Sequence, residues 1–247
     1  MNLITEPAAS PRLTPVLSLR AVSGLTTAEI AIFRALHSAI VEQRLLPGTR
    51  LTEEELAEIF QTSRMRIRRV LLTLAHEGVV ALSPGRGAVV ACPTAEEARA
   101  IFQARNLIET GLILGQSGAI APGLITKLQA CWHAEIDAHR AQDRTGMIAQ
   151  SGLFHIGLAE GLGNPVLADI VSNLVSRSSL IIALFQHSGS ICCRVDDHQH
   201  LIEALADARI SDAVALMHAH LTAIEAGLDL SEKPAFESDL RAILKVD

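Results

Sequence analysis

Three histidines, His155, His198 and His220, fall at inward positions of three separate amphipathic stretches. Leu158 and Ala159 follow His155 at three and four positions, Leu201 and Ile202 follow His198, and Leu216 and Met217 precede His220 at the same spacings. Side chains so spaced share a helix face, so all three imidazoles are expected inside a helical core. His200 and His218 lie roughly 200° around the same helices and are expected at the surface. A buried imidazole has two nitrogens that need partners. A single inward histidine is ordinarily a hydrogen-bonded core residue, whereas three together also suit one divalent cation that takes a nitrogen from each. Three histidines with an open position are also a catalytic zinc set. No Glu stands beside them at motif spacing to serve as acid or base, and an enzyme is not expected. Metal centre, polar pocket and structural histidine core stay open on these residues alone.

A second group is basic. Arg64, Arg66, Arg68 and Arg69 occupy six positions without an acid among them. At about 100° per residue, Ile67, Val70, Leu71 and Leu74 share the apolar face. Arg69 and Met65 then point away from it, with Arg64 and Arg68 beside them and Arg66 near the other edge. A solvated helix face ordinarily mixes Glu with Arg, so an acid-free run points to an anion. Guanidinium groups hold guanine O6/N7 bidentately or bind phosphate, and the amides opening the helix add donors. Arg50 and Arg86 flank the run and can add backbone or minor-groove contacts.

The elements that must position these groups are legible from periodicity and punctuation. Ile30, Phe33, Leu36, Ile40 and Val41 predict a helix from Thr27 to about Arg44, broken by Leu46-Pro47-Gly48. Thr52 and Glu55 form a capping box for a short helix to Phe60, and Ser63 caps the arginine-rich helix after the tight turn Gln61-Thr62. Val79–Leu82 and Ala88–Ala91 read as a hairpin around Pro84-Gly85-Arg86-Gly87. From residue 94 the periods are helical only, near 94–118, 123–142, 145–162, 165–187, 194–208 and 211–228, with breaks at Pro122-Gly123, Asn164-Pro165 and Ser188-Gly189-Ser190. The expected fold is mainly α: a winged helix-turn-helix with a small hairpin wing, then an antiparallel all-α bundle of about six helices. The expected organisation is a flexible arm at 1–24, a DNA-binding unit at 25–92, a helical effector and dimerisation unit at 93–230, and a tail at 231–247.

Charge divides along the same line. Residues 93–247 carry 11 basic and 19 acidic side chains, whereas residues 25–92 carry eight Arg against seven Glu, within a chain of formal charge −6. The acidic bundle is therefore a poor nucleic-acid surface and the basic helix a plausible one. Cys92, Cys131, Cys192 and Cys193 show no CxxC spacing, which argues against a cysteine zinc site or a disulfide framework. No uninterrupted apolar run reaches the roughly 18 residues of a membrane span, and the N-terminus lacks a basic stretch followed by an apolar core. A cytoplasmic protein without a membrane partner is expected.

The run Leu45–Val90 resembles the winged helix-turn-helix of the GntR superfamily of bacterial transcription regulators. It carries Pro-Gly-x-Arg-Leu, Leu-Ala-x-x-Phe, Ser-Arg, Leu-x-x-Leu-x-x-Glu-Gly-Val-Val and Arg-Gly in order. The resemblance extends from Ile32 to Val90 and implies DNA contacts at Arg50, Arg64, Arg68 and Gly87. The chain departs from the family pattern at Met65-Arg66, commonly Thr-Pro, and at Arg69, commonly Glu.

Residues 95–228 resemble the ligand-binding domain of the FadR branch, through Ala-Arg-x-Leu-Ile-Glu at 104–109, Phe-His-x-x-Leu at 154–158, Asp-His-x-x-Leu-Ile at 197–202 and Met-x-x-His-Leu at 217–221. The resemblance implies metal ligands at His155, His198 and His220, zinc or nickel for an all-nitrogen set, with Ser151 where the family has an Asp ligand. It also implies effector contacts at Arg105, with Arg177 as a further candidate and Ser151 beside the site. A homodimeric repressor of a catabolic operon is expected, bound to double-stranded operator DNA and released by a small carboxylate.

Overall fold

The computed structural model describes residues 24–41, 44–83, 87–116, 118, 120–186, 195–231 and 240–244. The arm except Gly24, Arg86 with the hairpin tip, the Ser188-Gly189-Ser190 break, Cys192, Cys193 and most of the tail lie outside them.

The N-terminal unit opens with α1 (Thr27–Val41), followed by β1 (Arg50–Leu51), α2 (Glu53–Ile59), α3 (Arg64–His76), β2 (Val80–Ser83) and β3 (Gly87–Val90). Thr52 Oγ1 accepts from the Glu55 amide and Ser63 Oγ from the Arg66 amide, so both expected caps form. The sheet has three antiparallel strands in the order β1-β3-β2, with Arg50 opposite Val89 and Leu51 opposite Ala88. The hairpin expectation lacked β1, because two residues are too few to display alternation. Gly87 has φ +92°, and a Cβ there would collide with the Leu51 carbonyl, so β1 and β3 close up only on a glycine. Phe33, Leu36 and Ile40 of α1, Leu56 of α2, Ile67, Val70, Leu71 and Leu74 of α3, and Val80 and Val90 form one buried core.

The C-terminal unit is helical: α4 (Ala95–Leu114), α5 (Pro122–Arg140), α6 (Arg144–Gly161), α7 (Pro165–Phe185), α8 (Val195–Ala206) and α9 (Ile210–Ala226). Thr94, Asp143 and Asn164 cap α4, α6 and α7. α5 packs on α6, α6 on α7, α4 on both α7 and α9, and α8 joins α5 to α9. Phe102, Leu128, Phe154, Ile181, Leu205 and Met217 lie in its core. α7 is long and apolar enough to cross a membrane by composition, yet 67% of its most apolar window is buried in the bundle.

The two units share side chains. Leu180 of α7 enters the core of the winged unit. Within the stretch read as a tail, a one-turn helix α10 (Leu240–Ile243) places Leu240, with the following Leu244, in that same core, and Arg44 Nη1 donates to the Ile243 carbonyl at 3.1 Å.

Candidate functional site

The arginine-rich helix α3 is anchored by the predicted face: Ile67, Val70, Leu71 and Leu74 are buried, while Arg64, Met65, Arg66, Arg68 and Arg69 are exposed. The tight turn before it is made by Gln61 at φ +47°. In space the arginine run is not acid-free. Arg64 pairs with Glu54, and Arg68 grips Glu53 with two parallel bonds, Nε to Oε1 at 2.7 Å and Nη2 to Oε2 at 2.9 Å. That grip holds the Glu53 carboxyl below the usual carboxylate range and pushes Arg68 up. Arg69 turns back to α1, with Nη1 3.2 Å from Glu29 and Nη2 donating to the Gly24 carbonyl. Helix and wing meet at a cleft of about 390 Å³ lined by Arg50, Glu53, Glu54, Arg64 and Gly87. Three of the positions implied by the resemblance thus share one cleft, and Arg68 is tied to its wall through Glu53.

The three histidines converge. His155 on α6, His198 on α8 and His220 on α9 are at most 3% exposed, and one ring nitrogen from each lies within 4.8 Å of those of the others. Each presents Nδ1 to a different carboxylate: Glu109 of α4 to His155 at 2.6 Å, Glu135 of α5 to His198 at 2.6 Å, and Asp197 to His220 at 3.3 Å. An ionised carboxylate only accepts, so the Nδ1 atom carries the proton and Nε2 is left over. All three Nε2 atoms are buried without a hydrogen-bond partner among the described residues. Phe154 stacks on His198 with ring centroids 4.1 Å apart and fixes that ring further.

The electrostatics favour neutral rings at His155 and His220 and an ionised Glu109. Burial lowers His155 to about 3, against a smaller opposing pull from Glu109, and burial also lowers His220. Burial pushes Glu109 up, but Arg105 and His155 outweigh it and bring its carboxyl down to about 2. Arg105 donates Nε to Glu109 at 2.7 Å and Nη1 to Ser178 of α7 at 2.9 Å, which leaves Nη2 buried and unpartnered. Arg105 and Glu109 thus form a buried ion pair at i+4, and the guanidinium still has a donor to give. Ser151 is buried on α6 one turn before His155. Arg177 pairs with Glu97 at the boundary between the units.

The donor set fits a divalent cation. Three histidines cluster within ligand distance of one another, their Nε2 atoms unpartnered and each ring oriented by a carboxylate in the manner of histidine metal ligands. Three carboxylates against the one Arg105 guanidinium leave the formal charge of the cluster at −2, which a dication balances. Glu135 was absent from the sequence reading. Its signal was present, since Leu124, Leu128, Cys131, Glu135 and Ala138 recur at spacings of three and four, a lone acid in an apolar register.

Residues 29–90 match the family of bacterial regulatory proteins known as the gntR family, and residues 100–223 match the FCD domain. The chain is 27% identical to the HTH-type transcriptional regulator LutR of Bacillus subtilis (strain 168) over 214 residues, 73% of this chain and 92% of LutR. It is 28% identical to the gluconate operon transcriptional repressor of Bacillus licheniformis over 151 residues, 60% of this chain and 62% of that one. In fold it is similar to a GntR transcriptional regulator from Rhodococcus sp. RHA1, with a TM-score of 0.68 at 21% identity, covering 81% of this chain and 97% of that one. With the arginine helix, the three-stranded wing and the FCD bundle all in place, the chain belongs to the GntR family, as a DNA-binding transcriptional regulator with a FadR-type C-terminal domain.

Proposed function

We propose that this regulator is an effector-released repressor of a catabolic operon, and that its bundle senses a small organic acid at a metal held by His155, His198 and His220. One observation carries the reading of the bundle: three buried histidines bring a ring nitrogen each within 4.8 Å of one another, their Nε2 atoms have no hydrogen-bond partner among the described residues, and each ring is fixed through Nδ1 by a carboxylate. Burying three such atoms costs free energy that a cation recovers. Nitrogen ligands suit zinc or nickel. When bound, the ion supplies a positive centre for a carboxylate. Arg105 contributes a second anchor through its free Nη2, and Ser151, in place of an acid, adds no negative charge against an anionic ligand. The site binds rather than catalyses, since the three carboxylates beside it are taken up by the Nδ1 atoms. The gluconate operon repressor among the relatives supports a catabolic target.

On the DNA side, Arg64, Arg68, Arg50 and Gly87, with Arg66 and Arg69 beside them, form the reading surface of a protein that works in the cytoplasm, and Arg86, outside the described residues, is a further contact by its place in the sequence. Two such helices reach successive major grooves of an imperfect palindrome only in a two-fold dimer. Exposed apolar side chains on two helices of the bundle are available for that dimer: Leu107 (77% exposed) and Leu114 (67%) on α4, and Val166 (67%) and Ile170 (41%) on α7.

Metal analysis and zinc calorimetry on the full chain test the sensor. The expected result is one tightly bound ion per chain. Protein that is metal-free as purified and takes up none on titration removes the metal and leaves a polar histidine pocket.

A further inference from the structure

We infer that α7 is the connector through which the imidazole centre sets the placement of the recognition helix. The inference rests on the effector reading above and adds the route. On one side of α7, Ser178 Oγ accepts from Arg105 Nη1 at 2.9 Å; Arg105 holds Glu109, and Glu109 holds His155. Every member of that chain is nearly or fully buried: Ser178 at 0%, Arg105 at 2%, Glu109 at 3% and His155 at 1% exposed. Two residues earlier, roughly 200° around the helix, Ser176 Oγ donates to Glu77 Oε2 at 2.5 Å. Glu77 is the C-cap of α3 and is itself buried, where loss of water pushes its carboxyl up and makes Ser176 a partner it cannot exchange for solvent.

Three further contacts tie the same turns of α7 to the end of α3. Asn173 Nδ2 donates to the His76 carbonyl at 2.5 Å. Arg177 lies so close to Gly78, which has φ +72°, that a Cβ there would come within 2.7 Å of the Arg177 Cγ. Leu180 is part of the winged core. A helix is stiff over one turn, so a shift imposed at Ser178 arrives at Ser176, Arg177 and Leu180 with little loss. A carboxylate drawn to the free Nη2 of Arg105 pulls on the guanidinium whose Nη1 holds Ser178. It thereby moves the element on which the C-terminal end of α3 is seated.

Amide hydrogen exchange on the full-length protein tests this, in wild type and in Ser178→Ala, each without metal and with Zn²⁺. The hydroxyl removed by Ser178→Ala bonds Arg105 and the Val175 carbonyl, both in the bundle, yet exchange at residues 74–80 is expected to accelerate by about threefold or more, while residues 128–138 of α5 stay unchanged. Ser176→Ala, which cuts the joint directly, should reproduce that acceleration. Zn²⁺ should change exchange at 74–80 in wild type and not in Ser178→Ala. Unaltered exchange at 74–80 in Ser178→Ala overturns the inference, and so does an equal rise across both segments, which marks general destabilisation. Zinc that binds wild type by calorimetry without moving residues 74–80 overturns the coupling and leaves the metal centre standing. Failure of zinc to bind removes the metal reading alone, and the Ser178→Ala comparison, which needs no metal, still decides the connector.

Discussion

In the winged unit, Arg64 and Arg68 meet Glu54 and Glu53 with 62% and 59% of the arginine side chains exposed; in the bundle, His155 meets Glu109 with 1% and 3% exposed. Both regions join a nitrogen base to a carboxylate, and burial gives the pairs different uses. An exposed pair is solvated and screened by salt, so it holds loosely and its acid yields to a phosphate or a base edge. A buried pair has no such exchange open to it. It fixes the ring and aims the remaining nitrogen at whatever can satisfy it. The first arrangement suits a surface that binds and releases DNA, and the second suits a resident ion.

That contrast can be broken at its strongest point first. His198→Ala removes an inward nitrogen, whereas Glu135→Gln removes only the carboxylate behind it. Zinc calorimetry should show a loss beyond about a hundredfold for His198→Ala and within about 10–100-fold for Glu135→Gln. Equal losses would mean that holding and orienting are not separate roles here.

A buried histidine without a carboxylate supplies the next test. His37 of α1 is 1% exposed, stacks on Phe33, has neither ring nitrogen bonded among the described residues, and is lowered by burial to about 4. Its folded value lies below the unfolded one, so protons bind preferentially to the unfolded chain. Stability is full above pH 6.5 and falls as the pH drops toward 4, by up to about 3 kcal/mol. Thermal melts of wild type and His37→Leu across that range check the sign, since the variant should lose the share of the acid slope that His37 contributes and keep the share from His155 and His220, which burial also lowers.

The exposed pairs should yield the smaller effects. On an operator fragment selected from random duplexes, Arg68→Ala should weaken binding by roughly tenfold to a hundredfold, with less loss on unselected DNA. Arg69→Ala, already engaged with Glu29, should cost less than Arg68→Ala on the same fragment. Glu53→Gln should raise affinity for unselected DNA by no more than about a few fold, because it frees one guanidinium from a competing acid. A titration series by fluorescence anisotropy ranks all three, and a loss for Glu53→Gln on both DNAs would show the acid to be part of the reading surface.

Helix positions, caps, the two-helix turn and the inward register of the three histidines follow from local rules acting within one or two turns. They were therefore readable from Thr52, Ser63 and the apolar spacings alone. The family relation was readable from the motifs of Leu45–Val90 and of residues 95–228, and the profile matches bear it out. Contacts between segments far apart in the chain obey no such local rule. The arginine run is acid-free along the sequence and paired with acids from α1 and α2 in space. Glu109, Glu135 and Asp197 lie 46, 63 and 23 positions from their histidines, and β1 finds β3 across the whole helix-turn-helix. The sequence determined which side chains face inward, because helical periodicity is a property of neighbours. Only the tertiary structure decided which carboxylate each imidazole meets and that α7 touches both units, because those depend on how separate helices pack.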